Sequence, residues 1–157
     1  MNIQIRWRDF RHVIEILFAL EWCAANLLKP EYQKNFSDKK IKQVNKNHDM
    51  ILTILPRIKK VKSDVMEDLA RFRRLDVKKP EAEKRVNSPN FWKKYFTELT
   101  DEEYSVVMNS IHEKQSYLSC LIRMDNKYDD NFSDLQEELA YIDVVIKFFR
   151  TFSPSNK

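Results

Sequence analysis

The chain predicts an all-α fold, a helical bundle of four main helices plus one short aromatic helix, and three observations carry that prediction. There is no glycine among its 157 residues, which disfavours the tight primed turns of hairpins because these lean on positive φ. Apolar residues recur at spacings of three, four and seven over long stretches. Prolines and capping side chains punctuate those stretches where helices would start and stop. At this length a single domain, residues 1–157, buries roughly 68 to 70% of the surface its unfolded form exposes. Only its ends, about 1–5 and 153–157, are expected to be flexible.

The first helix is expected from Trp7 to Leu28. From Val13 onward its polar residues are Glu15, Glu21, Asn26 and, marginally, Trp22. A helix apolar nearly all round belongs at the centre, with later segments packed about it. Lys29-Pro30 ends it, since the residue before proline is pushed out of the helical region. Glu31 to Ser37 reads as a polar loop, and Ser37 or Asp38 as the cap of the second helix.

That second helix carries Ile41, Val44, Ile51, Leu55, Ile58, Val65, Leu69 and Phe72 as a heptad stripe, and it should end near Asp76. His48 and Lys62 interrupt the stripe, and His48 reads as a core histidine with a hydrogen-bonded ring. Pro56 deletes a helical hydrogen bond, so the long helix is expected to kink there. Val77 to Pro89 is a polar connection with one helical turn around Glu81 to Arg85.

Ser88-Pro89 places a cap and a first-turn proline ahead of the short helix, in which Phe91, Trp92, Tyr95, Phe96 and Leu99 fall at helical spacing. Thr100 and Glu103 form a capping box for the next helix, which presents Tyr104, Val107, Met108, Ile111, Leu118, Leu121 and Ile122 and ends near Asp125. An acidic turn follows. Ser133 with Gln136 makes a second capping box, and the last helix presents Leu135, Leu139, Ile142, Val145, Ile146, Phe149 and Phe152 before Pro154.

Much chemistry is disfavoured. Phosphate-cradling loops need glycine so that backbone amides can approach a pyrophosphate. Cys23 and Cys120 lack metal or redox spacing and read as buried thiols of a reducing compartment. Glu15 and Glu21 disfavour a membrane span or leader in the first helix, so a soluble cytoplasmic protein without membrane contact is expected. His12, His48 and His112 show no ligand spacing. The acidic turn departs from a calcium loop at Lys127, Asp130 and Gln136. No catalytic set, metal or cofactor is expected.

Charge is the remaining lead. The net charge is +4, yet residues 1–97 hold 22 Lys/Arg against 12 Asp/Glu, and residues 98–157 hold 6 against 12. The halves either neutralise each other or leave a basic face for an acidic partner. Candidate anion or nucleic-acid contacts are Arg6, Arg8, Arg11 and His12 at the opening of the first helix, then Arg57, Lys59, Lys60, Arg73 and Arg74 on the second. Asp9 and the acidic last helices offer a packing explanation for the arginines. Trp92, Lys93 and Lys94 interleave rings with cations and form a candidate partner-binding segment. The expected function is that of a non-enzymatic adaptor or regulatory protein whose basic surface meets an acidic protein, alone or as a homodimer. The alternative is a nucleic-acid-binding helical domain.

Arg6, five intervening residues and His12 also resemble the arginine-to-histidine pair of the HEPN ribonucleases, helical bundles of similar size. The resemblance covers those seven residues. It implies RNA cleavage at a dimer interface, with His12 handling the proton and Arg6 the phosphate. Here the pair opens the first helix, whereas the family usually carries it in a later one.

Overall fold

A computed structural model describes residues 2–74, 88–124 and 132–153, except for the side chains of 72–74. The predicted connection up to Asn87 and the acidic turn through Asn131 lie outside the described residues, as do the side chains of Phe72, Arg73 and Arg74. In order, the chain forms β1 (Asn2–Arg6), α1 (Phe10–Asn26), α2 (Pro30–Gln33), α3 (Asp38–Arg74), α4 (Pro89–Trp92), β2 (Phe96–Thr100), α5 (Asp101–Met124) and α6 (Phe132–Arg150). The four long helices form the bundle, and a two-stranded antiparallel sheet closes one side of it.

α1 is the central element, packed against α3, α5 and α6. Val13, Ile16, Leu17, Ala19, Leu20 and Cys23 are buried, while Arg11, Phe18, Glu21 and Ala25 form one narrow strip open to solvent. The helix starts later than its sequence suggests. Asp9 is extended and its carboxylate accepts the Arg11 amide at 2.9 Å, a side-chain cap that fixes the first turn at Phe10.

α3 passes through Pro56 as one element. Pro56 and Leu52 are both exposed, so the Leu52 carbonyl that loses its amide partner faces water. The buried stripe is Val44, Ile51, Ile54, Leu55, Ile58, Val61 and Val65. It keeps the expected Val44, Ile51, Leu55, Ile58 and Val65 and is widened by Ile54 and Val61, while Leu69 is half-buried. His48 and Lys62, which interrupt the heptad, are half-buried at the flank of this widened face. The His48 ring meets the Ala24 carbonyl at 3.0 Å.

The sheet corrects two expectations. Residues 2–5, within the end expected to be flexible, belong to the strand Asn2–Arg6 with Ile3 and Ile5 buried, and the helical spacing through Leu99 breaks after Trp92. Asn2 pairs with Thr100, and Arg6 with Phe96. Ile3, Ile5 and Trp7 alternate inward with Tyr95, Thr97 and Leu99, as a half-buried sheet requires. The Trp7 indole donates to the Thr97 hydroxyl at 2.9 Å and anchors the strands to each other.

Both Ser88 and Ser37 cap as expected, accepting the amides of Asn90 and Lys40. The Thr100–Glu103 capping box is reciprocal, at 2.9 and 3.1 Å. Ser133, by contrast, lies inside α6, which begins at Phe132, so it does not cap that helix. Cys23 is buried as expected, but Cys120 is exposed. No helix among the described residues is long and apolar enough to cross a membrane.

Candidate anion-binding cleft

Pairing of β1 with β2 sets the exit of β1 beside the turn that follows α4, through the Trp7 amide and the Tyr95 carbonyl at 3.1 Å. Two segments far apart in sequence thus line one cleft of about 490 Å³: Arg6, Trp7 and Arg8 from one, Pro89, Trp92 and Lys93 from the other. Trp7 and Trp92 are its buried wall, and Arg6, Arg8 and Lys93 are exposed at its rim. Trp7 is held by Thr97 and by Phe148, whose ring centre lies 6.1 Å away. Trp92 packs edge-on against Tyr95 at 5.5 Å. The Arg6 guanidinium donates to the Gln4 side chain at 2.9 Å. Among the described residues no carboxylate lines this cleft, and Arg6, Arg8 and Lys93 have no acidic partner.

Arg11 and His12 belong to a different environment. The Arg11 guanidinium lies 3.6 Å over the Tyr141 ring and 3.9 Å from Glu15. The His12 ring packs 4.5 Å from Phe148 and 5.9 Å from Tyr141. Burial lowers its basicity, Asp9 raises it and Arg8 lowers it further. The His12 Nδ1, the Tyr141 hydroxyl and one Glu15 oxygen are buried without a hydrogen-bond partner among the described residues. Burial raises the Glu15 carboxyl, and it pushes the Tyr141 phenol up to about 12.

The long basic run on α3 is neutralised in part, and Lys62 has no acidic partner among the described residues. Arg57 bonds both Glu103 oxygens and also donates to the Glu98 carbonyl at 3.0 Å. Lys60 meets Asp64 at 2.9 Å, and Arg71 meets Glu67 and Asp68. Lys94, grouped with Lys93 by sequence, is instead bound to Asp68 at 2.7 Å, beside the Tyr95 hydroxyl. These two donors hold the Asp68 carboxyl below the usual range. Lys59 is exposed and has no acidic partner among the described residues.

A second cavity, of about 540 Å³, lies between α1, α3 and α5. Sequence alone gave no sign of it, because its walls come from separate helices. Cys23, Val44 and Ile51 line it together with Tyr32, His112 and Glu113. The Tyr32 hydroxyl donates to the Glu113 carboxylate, and His112 Nδ1 lies 3.3 Å from Gln115. Burial pushes the Cys23 thiol up to about 12, so it stays protonated and unreactive as a nucleophile. No group of three or more potential metal ligands occurs among the described residues. Comparison of the chain with known protein families, with curated proteins and with solved structures finds no match.

Proposed function

We propose that this chain is a non-enzymatic helical binding protein whose cleft at Arg6, Arg8 and Lys93 receives an acidic segment of a partner protein. The observation that carries this reading is the contrast in charge pairing. On α3, Arg57, Lys60 and Arg71 are matched by Glu103, Asp64, Glu67 and Asp68, whereas Arg6, Arg8 and Lys93 are three exposed cations gathered at one cleft with no carboxylate among its described lining residues. An acidic peptide is favoured over nucleic acid by the aromatic geometry. Trp7 and Trp92 are 1% and 5% exposed, so neither offers a free face on which a base could stack.

Fluorescence anisotropy with a labelled Glu-rich peptide and a single-stranded RNA of equal charge tests the reading. The peptide is expected to bind more tightly than the RNA, with affinity that falls as salt rises. Replacing Arg6, Arg8 and Lys93 together with alanine should weaken it about tenfold, the sum of three ordinary exposed ion pairs. Absence of peptide binding at low salt, or tighter binding of the RNA, would overturn the assignment.

A further inference from the structure

We infer that the acidic segment is bound as a third strand added to the outer edge of β1, with its carboxylates directed to Arg6, Arg8 and Lys93. This rests on the cleft reading above and adds the partner's conformation to it.

In an antiparallel pair, backbone groups alternate between facing the partner strand and facing away from it. The bond from the Trp7 amide to the Tyr95 carbonyl sets the phase. Ile3, Ile5 and Trp7 turn their amides and carbonyls toward β2, so Asn2, Gln4 and Arg6 turn theirs to the outer edge. By the same register, Phe96, Glu98 and Thr100 face outward from β2.

The two edges are treated differently. On β2, the Glu98 carbonyl accepts from Arg57 at 3.0 Å and the Thr100 amide donates to Glu103 at 2.9 Å. Side chains from α3 and α5 therefore close that edge. On β1, no backbone hydrogen bond reaches Asn2, Gln4 or Arg6 from any described residue. This edge carries neither a proline nor a bulge. It offers a ladder of five residues, about 17 Å long at strand rise.

Charge decides the occupant. The open edge ends at Arg6, which lines the cleft together with Arg8 and Lys93, and no described carboxylate lines it. A strand whose exposed side chains are acidic would place them along these cations while its backbone completes the ladder, the usual combination in strand addition. A second copy of β1 would bring no carboxylate to these cations, since Asn2–Arg6 carries none.

The test uses a peptide of eight residues alternating Glu and Thr, the full chain, and amide exchange followed by NMR. In the free protein the Gln4 and Arg6 amides should exchange rapidly, and the peptide should slow them at least tenfold while Ile3 and Ile5 change little. Gln4→Pro removes an outward amide and leaves the β1–β2 ladder intact, since that amide takes no part in it. This variant should fold and bind the peptide at least tenfold more weakly.

If Gln4→Pro binds like the parent and the two amides stay unprotected, strand addition is overturned while the cleft reading survives. Protection of both amides in the free protein would overturn it as well, as would a β1-mediated dimer in sedimentation without peptide. No binding of the peptide by the parent chain would remove both inferences. Should Gln4→Pro not fold, amide protection in the parent chain decides.

Discussion

Replacing Glu103 with alanine removes a helix cap and an ion pair in one step. Its carboxylate accepts the Thr100 amide at 2.9 Å, receives the Arg57 guanidinium at 3.1 Å on one oxygen, and bonds it again through the other. Loss of such a cap costs about 1 kcal/mol. A hydrogen-bonded charge contributes roughly 1.5–3 kcal/mol, and the lower end applies because the Arg57 side chain is 39% exposed and water re-solvates it. The expected loss is therefore about 2–3 kcal/mol, read as a shift of the urea midpoint by tryptophan fluorescence. A double-mutant cycle with Arg57→Met should return a coupling of about 1–2 kcal/mol.

The pH dependence has a defined sign. Arg57 first, then the Thr100 bonds, hold the Glu103 carboxyl below its ordinary 4.5 against the opposing effect of burial. Its contribution is complete above that value and is lost as the pH falls through the lower folded value. Because Arg57 also covers the Glu98 carbonyl, the variant should expose the β2 edge and scatter more light at high concentration. A loss below about 1 kcal/mol together with zero coupling would refute the assignment of Glu103 as the clamp between α3, β2 and α5.

Burial depresses His12, so its protonation opposes folding; stability it contributes is complete above 6.5 and declines as the pH falls toward the folded value. His12→Phe should flatten the fall in urea midpoint between about pH 7 and pH 5, and an unchanged slope would count against a buried neutral imidazole. On α3, Ile54→Ala should cost about 2–5 kcal/mol and Leu52→Ala less than about 1, because Ile54 is fully buried and Leu52 is 50% exposed; equal losses in thermal denaturation would contradict the packed face of α3. Under native conditions a thiol reagent should titrate one cysteine, Cys120, with Cys23 reacting after denaturation. Mass mapping of label on Cys23 in the folded protein would oppose the packing between α1 and α5.

The helices were legible where local chemistry specifies them. Thr100 with Glu103, Ser88-Pro89 and Ser37 announce their own capping bonds because donor and acceptor lie within three residues of each other. The three-and-four spacing of α1, α3, α5 and α6 likewise follows from one turn of helix. The sheet was harder. Phe91 to Leu99 fits a helical spacing as well as a strand, and a strand of five residues has too few positions to decide between the two periods. The alternation Ile3-Gln4-Ile5-Arg6-Trp7 was the available signal, short and placed at the start of the chain.

Amino-acid order thus determined the fold class, the capped starts of α3, α4 and α5, and the central position of α1. Tertiary structure alone decided which cations are neutralised and which are left open. Whether Arg57 has a free charge depends on Glu103, 46 residues away, and whether Arg6 meets Lys93 depends on strand pairing across the whole bundle. Such contacts are long-range, and no local spacing encodes them. Their energy comes from burial and charge pairing between elements, so the cleft exists only once β1 has found β2.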